Sequence, residues 1–138
     1  MQKLVVLLAL AFAMTSGAKG EIANGDFEDG LNGWTASGYE FFTTGLLDTA
    51  TFDSVNPVTI YPVAGESFAL LKSGGGSGET NFAQVYQTMT FHAGQTITGS
   101  YFFATADYLQ WNDQGFIKLV PEAGGLLTEI ELAKADVA

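Results

Sequence analysis

Tyr108 and Trp111 stand three residues apart in the stretch DYLQWND, Asp107–Asp113, with Asp107 before them and Asn112 and Asp113 after. Flat aromatic faces stack on the apolar faces of sugar rings, while amides and carboxylates bond the ring hydroxyls. Tyr108, Trp111, Asp107 and Asn112 are therefore candidate carbohydrate-binding residues. The same composition also suits a strand connection whose aromatics cap a core, with Asn112 and Asp113 making a turn.

A second group lies near the start, in NGDFEDGLNGW, Asn24–Trp34. Asn-Gly steps at 24–25 and 32–33 form turns readily, because both residue types tolerate positive φ. Asp26, Glu28 and Asp29 crowd between these steps, and like charges so close repel. A calcium ion relieves such crowding with oxygen ligands at about 2.3–2.6 Å. Without one, the run is a solvated acidic turn with Phe27 tucked into the core. It is no EF-hand loop, since Leu31, not glycine, occupies the sixth place from Asp26. Trp34 reads as a core residue rather than a sugar platform, because large aromatics are usually largely buried.

Catalytic chemistry finds little footing. The chain has no cysteine, which excludes thiolate nucleophiles and thiolate metal sites. Its one histidine, His92, sits in a turn-like FHAGQ, and no serine–aspartate context marks a triad. Carboxylates are numerous, but nothing singles out an acid–base pair. The chain reads as a non-enzyme.

The segment 1–18 has the form of an export leader. Lys3 supplies a charge, Leu4–Met14 is an unbroken apolar run, and Ser16-x-Ala18 offers small residues at the exit. The run is too short for a spanning helix, which needs about 20 residues. Cleavage is expected before Lys19, or else after Gly20. The same run would also serve as a retained membrane anchor, or as a buried strand or helix. All 15 acidic residues follow the leader, against four of the five lysines and no arginine, a formal charge of −11. That balance disfavours nucleic acid and anionic membrane surfaces. It suits a secreted or periplasmic protein that does not insert in a membrane once the leader is gone.

These groups need a scaffold, and the apolar segments that could supply it are short and rich in Thr, Val, Ile, Phe and Tyr, a strand composition. Strands are expected over residues 39–44, 46–52, 58–61, 67–72, 82–91, 95–106, 116–120 and 126–132. Turn signals separate them, as at Asn56-Pro57 and Pro121–Gly125. The clearest hairpin is expected across HAGQ, His92–Gln95, with Val85, Met89 and Phe91 on one face of its first arm and Gln87 breaking the row. The tail from Leu126 reads as a strand followed by a helical turn. SGGGSG, Ser73–Gly78, reads as a loop within one domain. The expected fold is all-β, an antiparallel two-sheet sandwich forming a single domain over residues 21–138.

NGDFEDGLNGW, GESFALLKSGGGSG, FAQVYQTMTFHAGQTITGSYFF and ADYLQWNDQGFIKLV follow one another in an order that resembles bacterial exported galactose-binding-like jelly rolls. The opening is similar to that of carbohydrate-binding modules of families four, nine, sixteen and twenty-two. The opening and the NDxxx(I/V)xL stretch together resemble exported proteins of the PEP-CTERM type. The resemblance covers residues 22–132. It implies a jelly roll, of which this chain reads as a fragment or a short variant, a structural calcium held by Asp26 and Glu28 with Asn24 as a further donor, and a non-catalytic module for extracellular or cell-wall carbohydrate. The alternative is a structural or adhesion protein of the envelope or matrix that has the same fold and no sugar site.

Overall fold

A computed structural model describes residues 5–8, 22–51, 55–74, 82–90, 94–105, 113–121 and 129–136. Among these the chain is all-β, apart from one short 3₁₀ turn. The strands are β1 (Val5–Leu8), β2 (Thr35–Gly38), β3 (Glu40–Thr44), β4 (Leu47–Asp48), β5 (Thr59–Ile60), β6 (Phe68–Lys72), β7 (Ala83–Tyr86), β8 (Phe102–Ala104), β9 (Gln114–Leu119) and β10 (Ile130–Asp136). The 3₁₀ turn, Thr49–Thr51, follows β4.

Four strands form one sheet in the order β3-β6-β1-β8, and every neighbouring pair is antiparallel. Three two-stranded antiparallel sheets, β2-β7, β4-β5 and β9-β10, complete the described residues.

The core is organised by β6. FALLK is an uninterrupted apolar run ending in lysine, and such a run suits a strand covered on both faces. Phe68, Ala69, Leu70 and Leu71 are all buried. Successive side chains of a strand point to opposite faces. Accordingly, Phe68 and Leu70 cluster with Leu47, with Ile60 and Phe102 packed against them. Ala69 clusters with Phe27, and Leu31, Trp34 and Ile117 pack on that side. The acidic opening turn and β9 thus cover one face of β6, and the β4-β5 ribbon covers the other. Complete burial of a side chain the size of Phe27 stabilises the fold by about 1.5–3 kcal/mol.

Three features depart from the sequence reading. First, the expected hairpin across residues 92–95 is not the pairing found. β7 pairs with β2, and β8 pairs with β1 in a different sheet. Alternation identifies a strand's faces and leaves its partner unspecified. Second, TASG forms β2 although it lacks the aromatic and branched run that marks a strand. Its pairing places Gly38 opposite Ala83. Gly38 has φ +112°, and a Cβ there would overlap the Phe82 carbonyl, so β2 approaches β7 only because this residue is glycine. Third, the tail is a strand through Asp136, with a register shift between Glu131 and Ala133, where a helical turn was expected.

Val5–Leu8, within the expected leader, is a strand of the four-stranded sheet. Among the described residues no helix is long and apolar enough to cross a membrane.

Candidate functional site

The opening turn is a knot of hydrogen bonds centred on Asn24. Its backbone carbonyl accepts from the Phe27 N–H at 3.2 Å and from Trp34 Nε1 at 3.0 Å. Its side-chain Oδ1 accepts the Asp29 N–H at 3.0 Å, and Nδ2 donates to the carbonyls of Gly30 and Asn32, each at 2.9 Å. Asn32 Nδ2 donates to Asp29 Oδ2 at 2.7 Å. Asn24 adopts φ +49°, a left-handed conformation that asparagine tolerates. Phe27 adopts φ +60°, which is unusual for a bulky residue, and its fully buried ring offsets the strain. The ring stacks on Trp34 at a centroid distance of 5.0 Å. Trp34 is half-buried against this cluster, as expected of a core residue.

Two further contacts fasten the knot to the strands. Glu28 Oε1 accepts the N–H groups of Glu66 at 2.5 Å and Ser67 at 3.0 Å, just before β6. Gly65 has φ +71°, and a Cβ there would strike Glu28 Oε1, so this close approach also requires glycine. Gln87 brackets Ala23: its Oε1 accepts the Ala23 N–H, and its Nε2 donates to the Ala23 carbonyl, both at 2.8 Å. The amide therefore mimics one rung of a β-ladder. Gln87 interrupts the apolar row of its segment because its partner is a backbone.

The residues expected to hold calcium are placed as follows. Asn24 and Glu28 direct their side chains at separate backbone groups, while Asp26 Oδ1 accepts the Glu28 N–H at 3.4 Å and is exposed. No cluster of three or more His, Cys, Asp or Glu side chains able to hold a metal ion occurs among the described residues. In this geometry these hydrogen bonds hold the turn together.

The expected sugar-binding residues Asp107, Tyr108, Trp111 and Asn112 lie outside the described residues, as does His92. The ends of their segment are described. Thr105 follows β8, Asp113 precedes β9, and Thr105 Oγ1 donates to Asp113 Oδ2 at 3.2 Å. That bond brings together the two ends of the connection between the four-stranded sheet and the β9-β10 ribbon. Elsewhere Tyr39, Tyr61, Tyr86 and Tyr101, every tyrosine among the described residues, are exposed, from 44% for Tyr39 to 64% for Tyr61. Periodicity could show only Tyr86, on the polar face of its strand, because Tyr39, Tyr61 and Tyr101 lie beside strands rather than in them.

Electrostatics concentrate on the β9-β10 ribbon. Lys118 Nζ bonds Glu129 Oε1 at 2.7 Å and lies 4.6 Å from the centre of the Phe116 ring. Lys134 pairs with Asp136, and Lys72 with Glu40. The hydrogen bond to Glu129 raises Lys118 above the usual lysine range; desolvation opposes the rise, and the charges of Glu129 and Glu131 reinforce it. No protein-family model, curated protein or solved structure matches the chain.

Proposed function

We propose that this chain is an exported, non-catalytic binding module for extracellular or cell-wall carbohydrate, built as a galactose-binding-like jelly roll. One observation carries the reading: an all-β scaffold whose described tyrosines are all exposed. Exposed aromatic rings on a rigid sheet frame are the groups that stack on sugars. In this reading Trp111 and Tyr108 supply the main stacking surface, and Asp107 and Asn112 bond hydroxyls. The clamp between Thr105 and Asp113 fixes the base of their segment. The formal charge of −11 favours neutral glycans over polyanionic ones.

Affinity electrophoresis through gels cast with different polysaccharides tests the proposal. Retardation on at least one neutral polysaccharide is expected, and Trp111→Ala should abolish it while leaving the melting temperature within about 1–2 °C. Free migration in every gel would defeat it and favour the alternative, an envelope or matrix protein with no sugar site. Exposed aliphatic residues support that alternative: Val55 is 82% exposed and Val63 73%. A structural calcium held by Asp26 and Glu28, with Asn24 as a further donor, also belongs to the proposal. Calcium held there raises the melting temperature, since a ligand of the native state stabilises it. A melt unchanged by chelator removes calcium from the proposal.

A further inference from the structure

The N-terminal strand carries two incompatible signatures. Its sequence is that of a leader removed on export: Lys3, then the Leu4–Met14 run, then Ser16-x-Ala18. Its position is inside the four-stranded sheet. Val6 stands opposite Leu71 on one side and Phe103 on the other, and Leu7 opposite Leu70 and Phe102. Since β1 is antiparallel to both neighbours, β6 and β8 run parallel to each other, one strand apart.

Removal of the leader would open two facing backbone edges about 10 Å apart, twice the usual strand spacing. Unpaired edges of this kind template the addition of a strand. β6 is not free to slide across the gap. Five residue pairs with β3 hold its other edge, and its side chains are fixed in clusters on both faces. The walls of the gap are apolar, formed by Ala69, Leu70 and Leu71 on one side and Phe102, Phe103 and Ala104 on the other.

We propose that the gap between β6 and β8 is a strand-acceptor site. Val5–Leu8 fills it while the leader is attached, and a short, extended aliphatic segment of another polypeptide fills it afterwards, antiparallel to both edges. The seated occupant defines the chemistry: a four-residue aliphatic strand, Val-Val-Leu-Leu, whose central Val6 and Leu7 pair on both sides and which follows Lys3 by one residue. A basic flank on the donor also complements a domain of charge −11. Such two-sided addition draws affinity from main-chain hydrogen bonds and selects apolar side chains. It is independent of the sugar-binding proposal, since neither edge carries Trp111 or Tyr108.

The test uses the full chain with a site-specific protease sequence replacing residues 12–17. After cleavage, a fluorescent peptide of residues 3–10 is added and its anisotropy followed. Saturable binding at one peptide per chain is expected. A peptide with Val6→Pro and Leu7→Pro, still uncharged and aliphatic but unable to form the ladder, should bind at least tenfold more weakly. If cleavage lowers the melting temperature, the unmodified peptide should restore it. Equal binding of the two peptides would reduce the effect to unspecific apolar capture and overturn the proposal. So would a cleaved chain that keeps its melting temperature and binds neither peptide, or one that unfolds and is not rescued. A dimer of the cleaved chain that excludes the peptide would overturn the assignment to a foreign donor.

Discussion

Asn24 carries more of the opening turn than any acidic residue beside it. Its side chain both accepts and donates, and only an amide can do both here. Asn24→Asp keeps the acceptor for the Asp29 N–H but loses both donors and points a carboxylate at two carbonyls. Asn24→Ala loses all three side-chain bonds. Each lost bond of this kind costs about 0.5–1.5 kcal/mol, more where a partner is left unsatisfied. Both variants should therefore lose about 2–4 kcal/mol in urea unfolding, and Asp should be no better than Ala. An Asn24→Asp protein as stable as the parent would show that the amide donors contribute nothing. The sequence displayed this turn through its two Asn-Gly steps. It could not display which groups the side chains chose: Glu28, a candidate calcium ligand by its charge, bonds two backbone amides. Gln87 presents the same problem. Its break in the apolar row was visible, yet the reason for it lies 64 residues away at Ala23.

At the scale of elements, strands with a continuous apolar run were legible and their partners were not. FALLK announced β6, and EFFTT announced β3, because burial on one or both faces leaves a pattern in the chain. β2 was missed because its role depends on the absence of side chains, at Gly38 above all. Lys118–Glu129, at the β9-β10 ribbon, is the shortest ion pair among the described residues. Because the folded state raises the affinity of Lys118 for its proton, the pair's contribution is fully present below the ordinary lysine range. It is lost as pH rises through the raised value. Glu129→Gln should therefore lower the Lys118 titration midpoint, read by NMR at the Nζ-adjacent methylene. At neutral pH it should change the melting temperature little, since exposed pairs contribute little to stability. An unchanged midpoint would mean that the hydrogen bond does not hold the ammonium in solution.

For the whole molecule, β6 divides the interior into two apolar clusters that share a backbone but lie on opposite faces. The sequence predicted an all-β chain, and the described residues are all-β; it did not predict that one strand would serve both sides. This arrangement makes a quantitative demand. Ile60 packs on the cluster of Leu47, Phe68 and Leu70, and Ile117 on that of Phe27 and Ala69. Ile60→Val and Ile117→Val each remove one methylene, at a cost of about 0.5–1.5 kcal/mol. Separate clusters respond independently, so the double variant should match the sum of the two single effects to within about 0.3–0.5 kcal/mol. A coupling larger than that, measured by urea unfolding of all four proteins, would mean that a change on one face is transmitted through β6 to the other. Its four apolar residues would then behave as one core, and the strand beside it could not be exchanged without disturbing both faces.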